Sequence, residues 1–201
     1  MNTELFFIYD SHCPWSYAAS SLVNVISENY PDIKLNLWHC ARYEGDELVS
    51  KQTIDDVVNF SECKFSSHYL DKLSIEKDST ISANLLAWTQ TKVPHLTLPL
   101  LNALQEKHFQ QGIALTSESD FSDIINELKI SPPNKIFNNE KLTKEAEMTL
   151  HAIFELQEVI QTSAIPAVLL AVGDNLTLLN HNLYLQEPSS IVEAIKLELN
   201  K

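Results

Sequence analysis

The chain has 201 residues, 44% of them hydrophobic, enough for one domain with a substantial core or for a core plus an insertion. With 27 acidic against 14 basic residues and a net charge of −13, it lacks the clustered Lys and Arg that a nucleic acid or an anionic membrane surface requires. Three widely spaced cysteines are no disulfide framework, Met1-Asn2-Thr3-Glu4 shows no basic signal-peptide region, and no apolar stretch reaches the ~18 residues of a membrane span, so the expected compartment is the cytoplasm.

Leu5-Phe6-Phe7-Ile8-Tyr9 is a short apolar run of buried-strand length, and Tyr17 to Ile26 repeats at helical spacing with Leu22, Val25 and Ile26 on one side. Asn29-Tyr30-Pro31-Asp32 is a turn, after which Ile33-Lys34-Leu35-Asn36-Leu37-Trp38 alternates as a half-buried strand does. Strand, helix and strand so close together predict a right-handed βαβ unit with parallel strands. From about Leu48 the period stays helical, with helices expected near residues 53–73, 79–91, 95–111, 118–128 and 140–161. Pro94, Gly112 and Ser131-Pro132-Pro133-Asn134 punctuate them, and Ser117 and Asp120 suit a helix start. Ala167 to Val172, a Gly173-Asp174-Asn175 turn and Leu176 to Asn180 read as a hairpin, and Pro188 opens a last helix with Ile191, Ile195 and Leu199 inward.

The chemistry concentrates in Tyr9-Asp10-Ser11-His12-Cys13-Pro14-Trp15-Ser16-Tyr17. Pro14 falls where a helix's first turn tolerates it, so Cys13 stands between a buried strand and a helix N-terminus. Unpaired N–H groups and the partial positive charge of a helix start favour a thiolate, the nucleophilic form, so a lowered Cys13 pKa is expected. Ser16 is placed to donate a hydrogen bond to that sulfur. Asp10 is a base or, more simply, a helix cap; His12 is a charge-assisting neighbour or a solvent-facing loop residue. Cys40, at the end of the second strand, is a candidate resolving thiol or, more simply, a buried inert cysteine, and Cys63 reads as inert. Trp15, Tyr17, Trp38 and Trp88 are candidate walls of an aromatic pocket, core being the plainer reading for all but Trp15. The seven histidines show no ligand spacing, so no metal is expected.

A strand ending in Asp-x-x-Cys-Pro-Trp-x-Tyr, a long helical insertion and Ile165-Pro166 before a strand resemble the DsbA-like branch of the thioredoxin superfamily. The likeness is nearest to the cytoplasmic FrnE-like dithiol oxidoreductases, the 2-hydroxychromene-2-carboxylate isomerases and the kappa-class glutathione transferases. Residues 103–112, followed by Asp120-Phe121, look like that family's inserted-domain helix. The resemblance implies an α/β thioredoxin-like fold split after its second strand, with residues 1–47 and 162–201 in the thioredoxin-like part and 48–161 in an all-helical insertion. It also implies a cis Pro166 with the Ile165 backbone open to an extended thiol substrate, beside Pro14 and Trp15.

Ser16 stands where FrnE-like enzymes have their second cysteine, and a hydroxyl cannot close an intramolecular disulfide. The favoured expectation is therefore a monothiol thiol–disulfide oxidoreductase using Cys13 in a mixed disulfide, with glutathione, another small thiol or an extended peptide disulfide as partner, in a monomer or homodimer. The alternatives are a glutathione-dependent isomerase or transferase of aromatic electrophiles and a non-catalytic peptide-binding adaptor.

Overall fold

The computed structural model describes residues 3–200; Met1, Asn2 and Lys201 lie outside the described residues. β1 (Thr3–Tyr9), α1 (Pro14–Asn29) and β2 (Lys34–His39) form the parallel unit expected, with Phe7 opposite Leu37 and Tyr9 opposite His39. β3 (Glu44–Glu47), α2 (Lys51–Phe60), α3 (Ser67–Leu70), β4 (Lys77–Asp78), α4 (Thr80–Lys92), α5 (Thr97–Phe109), α6 (Ser122–Leu128) and α7 (Lys144–Ile160) follow. β5 (Ala167–Val172), β6 (Asn175–Leu179) and α8 (Ile191–Leu199) complete the chain. The main sheet runs β2-β1-β5-β6, with β5 antiparallel to β1 and to β6.

The two-residue period of the strands sorts the core into layers. Leu5, Phe7 and Tyr9 point with Leu37, Val168 and Leu170 toward α1 and α8, against Leu22, Val23, Ile26, Ile191 and Ile195. Ile8, Ala167 and Leu169, with Phe6 and Trp38, face the other way onto Ile153, Leu156 and Ile160 of α7. The first of these clusters continues without a break into α4 and α5 through Ile81, Leu85, Leu86, Leu100, Leu101 and Leu104. α4 is buried on nearly every side, which is why its sequence carries little amphipathic pattern.

Two expectations need correction. The helix read over 53–73 is broken: α2 ends at Phe60, and Ser66 starts α3 by accepting the Tyr69 N–H at 3.2 Å. The chain also forms a second, two-stranded sheet, β3 against β4, which Glu44-Gly45-Asp46-Glu47 could not announce because it has no apolar alternation. At Ser117 the expected start is present in altered form, the Asp120 carboxylate accepting the N–H groups of Thr116 and Ser117 at 3.0 Å each.

Gly112 turns the chain after α5, so that Ala114 meets His12 and Ile113 meets His108. Its φ is +67°, and a Cβ there would lie 2.6 Å from the His68 carbonyl oxygen. Gly112→Ala therefore meets both backbone strain and a fixed backbone atom, and is expected to cost about 2 kcal/mol or more, read as a lowered urea midpoint.

Candidate active site

Cys13 is the N-cap residue of α1, and its N–H donates to the Asp10 carbonyl at 3.1 Å. Pro14 fills the first helical position, where no N–H is needed. The thiol is a free cysteine, 7% exposed, packed with Tyr43, Val49, Ile54, Tyr69 and Phe109, with Trp15, Tyr17 and Phe65 at the edge. Two opposing effects act on it. Burial raises its pKa, while the N–H groups of Ser16 and Trp15 and the Ser16 hydroxyl, all turned to the sulfur, lower it. Burial wins, and the pKa stands above the ordinary thiol value. This corrects the expected lowering: the helix start acts as predicted, but the aromatic wall was not visible in the sequence.

Ser16 is fully buried and has a second task, its Oγ accepting the Asp10 N–H at 3.2 Å. Asp10 is not the helix cap, since no side chain caps α1. Its carboxylate is fully buried and accepts from the His12 N–H at 2.8 Å, the Arg42 N–H at 2.7 Å and the Ser79 hydroxyl at 2.7 Å. One side chain thus ties the Cys13 loop to the segment after β2 and to the start of α4. Burial alone raises its pKa, but the imidazoles of His39 and His12 and these donors outweigh it, and the pKa is lowered.

His12, read as solvent-facing, is fully buried. Its Nε2 donates to the Ala114 carbonyl at 3.1 Å, which leaves Nδ1 to accept from the Ser11 hydroxyl at 2.9 Å. That is a neutral ring, consistent with burial holding its pKa down. His39 was not singled out by sequence. The N–H groups of Ser11 and Ala41 lie 2.9 and 3.0 Å from its Nε2 and Nδ1; a neutral ring has one lone pair and accepts from one of them, whereas a protonated ring accepts from neither. Burial pushes its pKa down to about 4 against the pull of Asp10, so the 3.8 Å His39–Asp10 contact is not an ion pair at neutral pH.

The Ile165–Pro166 peptide bond is cis. Ile165 and Pro166 line a groove of about 450 Å³ with Trp15, Phe60, His181 and Leu185. Trp15 joins this groove to the Cys13 cluster. The other aromatic candidates separate. Tyr17 stacks on Phe109 at 4.6 Å, Trp38 meets Phe6 edge-on at 4.9 Å on the α7 side of the sheet, and Trp88 packs on the main core. Cys40 lies on that α7 side with its pKa raised first by burial, and Cys63 sits against the main core. The side chains clustered with Cys13, Tyr43, Tyr69 and Phe109 among them, come from segments whose sequence reads as ordinary helix and turn, and nothing in their spacing marks them.

No protein-family model matches the chain, and no curated protein matches it by sequence. Solved structures do. The cytosolic disulfide reductase DsbM from Pseudomonas aeruginosa, solved with GSH, superposes with a TM-score of 0.80 at 17% identity over 98% of this chain and 100% of that one. The chain has the DsbA-like thioredoxin fold. DsbM without GSH gives a TM-score of 0.81 at 16% identity, over 98% of each chain. A periplasmic thioredoxin-like protein from Salmonella enterica serovar Typhimurium gives 0.57 at 15% identity, over 100% of this chain and 86% of that one. The DsbA-like fold thus recurs in proteins of different compartments. Among the described residues no helix is long and apolar enough to cross a membrane, and no group of three His, Cys, Asp or Glu is placed to hold a metal.

Proposed function

We propose that this protein is a cytoplasmic thiol–disulfide oxidoreductase working through Cys13 as a single thiol, with glutathione or a similar small thiol as its partner. The observation that carries the reading is the set of donors on one sulfur: the Trp15 and Ser16 N–H groups and the Ser16 hydroxyl all favour charge on Cys13 at the start of α1. The likeness in fold to a cytosolic disulfide reductase solved with GSH supports the choice of partner and compartment. A thiol that is 7% exposed suits a small disulfide better than one on a folded protein surface.

The Cys13 thiolate attacks one sulfur of the disulfide, forming a mixed disulfide and expelling the other sulfur as a thiolate that takes up a proton. A second thiol from solution then attacks the adduct, releasing reduced Cys13 and a new disulfide. Ser16 cannot resolve the adduct because it has no sulfur. The groove beside Trp15, with the Ile165 backbone and Pro166, would hold the rest of the bound thiol. In this reading residues 1–47 and 162–201 carry the thiol, and the 48–161 insertion supplies Tyr69 and Phe109 of its wall.

Incubation with oxidised glutathione is expected to give one glutathione adduct by intact mass, abolished by Cys13→Ala. No adduct, or one that survives Cys13→Ala, overturns the proposal. The aromatic wall around Cys13 also suits the second reading, a glutathione-dependent isomerase or transferase of aromatic electrophiles. Glutathione-dependent turnover of a chromene that survives Cys13→Ser would select it.

A further inference from the structure

Gln105 interrupts the apolar stripe of α5. It follows Leu101 by one turn and stands beside Leu104, both fully buried, and it is itself only 1% exposed. An apolar side chain would close the core there at no polar cost. Instead the Gln105 Nε2 is buried with no hydrogen-bond partner among the described residues. A buried donor left so destabilises the fold, and it asks for an acceptor that the chain does not supply. Gln105 lines a cleft of about 530 Å³ between α1 and α5, bordered by the 62–64 segment, Leu185 and Pro188.

The cleft is braced by its own hydrogen bonds. Asn24 and Asn102 pair their amides at 3.1 and 2.7 Å, and the Ser20 and Ser21 hydroxyls donate to the Ser16 and Ala18 carbonyls. Gln110 Nε2 donates to the Tyr17 hydroxyl at 3.1 Å and to the Lys64 carbonyl at 2.6 Å, tying the 62–64 segment to both helices. The Tyr17 oxygen accepts there, which leaves its own O–H to donate. Glu62, Lys64 and Glu106 complete the lining, all three exposed and none in an ion pair among the described residues.

This lining narrows the ligand. A cation alone suits Glu62 and Glu106 but brings no acceptor for the Gln105 N–H. An anion alone brings the acceptor but meets two carboxylates, in a chain of net charge −13. A neutral amide or sugar leaves all three charges unused. A molecule with both charges fits every group: its carboxylate accepts from Gln105 and Tyr17 and pairs with Lys64, while its ammonium faces Glu62 and Glu106. We propose that this cleft is a binding site for an α-amino acid group, carried by a free amino acid or by the γ-glutamyl end of glutathione. It is distinct from the groove at Ile165 and Pro166, with which it shares only Leu185, and it stands whether or not Cys13 reacts.

L-glutamine at about 10 mM is expected to raise the thermal midpoint of the full chain and to shift the Gln105 side-chain amide resonance. Acetate and ethylammonium, its two halves, should do neither at the same concentration. Gln105→Leu should melt higher on its own, having lost an unpaired buried amide, yet bind L-glutamine about tenfold more weakly, the worth of a hydrogen bond to a charged group. S-methylglutathione, whose sulfur cannot exchange, separates the two sources: tighter binding than L-glutamine points to the γ-glutamyl end, weaker binding to a free amino acid. Cys13→Ala should bind as the wild type does, so failure here is distinct from failure of the thiol chemistry. No response to either zwitterion, equal responses to L-glutamine and its halves, or loss of binding in Cys13→Ala overturns the proposal, as does undiminished binding by Gln105→Leu. Should Gln105→Leu not fold, Glu106→Gln, at an exposed position, is expected to weaken L-glutamine binding about threefold, and an unchanged affinity overturns the site.

Discussion

Asp10→Asn is expected to destabilise the protein while making Cys13 more reactive. The carboxylate accepts three donors, the N–H groups of His12 and Arg42 and the Ser79 hydroxyl, of which Ser79 also reaches the Tyr43 carbonyl, at the longer distance of 3.3 Å. An amide offers one oxygen, so its NH2 must face at least one of these donors in a site closed to water. Removing one partner from a buried charged network costs about 3 kcal/mol or more, which lowers the thermal midpoint of a chain this size by roughly 6–12 °C. Reactivity moves the other way. The Asp10 charge raises the Cys13 pKa, so losing it favours the thiolate, and alkylation of the folded protein at pH 8 should quicken. A base working on Cys13 would give the opposite sign. Faster alkylation with lower stability marks Asp10 as a clamp on the loop; slower alkylation in a protein that remains folded would mark it as the base.

The difference between what was and was not legible in the sequence follows from range. β1, α1 and β2, the β5–β6 hairpin and α8 were readable because their patterns are local: a two-residue alternation, Pro14 at a helix start, a Gly-Asp-Asn turn. Cys13 and Ser16 were readable for the same reason, one turn of helix joining them. The surroundings that decide their chemistry were not. Tyr43 follows β2, Tyr69 belongs to a four-residue helix and Phe109 ends α5, so the wall exists only once these elements are packed together. His12 was misplaced on the same grounds, because the acceptor that lets it be buried, the Ala114 carbonyl, is 102 residues away. The sign of the Cys13 shift depended on that wall, and a reading limited to the helix terminus could see only the terms that lower it.

Stability is expected to fall steeply as the pH drops from about 6.5 to 4, well before most carboxylates are protonated. His39 carries a share that can be sized. Its folded pKa of about 4 lies below the ordinary value of 6.5, so between those limits the unfolded chain binds a proton that the folded chain refuses. Stability is then fully present above about 6.5 and is lost as the pH falls toward 4, by about 3 kcal/mol from this one group. Burial holds His12, His108 and His181 below their ordinary values as well, and each adds in the same direction. Asp10, with its pKa lowered, extends the loss to lower pH still. One effect runs against this: the net charge of −13 shrinks toward the isoelectric point near 4.8, which relieves self-repulsion. That relief is spread over the surface and is shared by any single histidine variant. His39→Gln, which keeps an oxygen for the Ser11 or Ala41 N–H but cannot titrate, is therefore the test. Urea midpoints measured between pH 7 and 4 should slope less steeply in this variant than in the wild type, the two lines converging at the acid end. Parallel lines would show that His39 is not a group the folded chain keeps neutral, and with that the N–H donor aimed at its one lone pair would need another explanation.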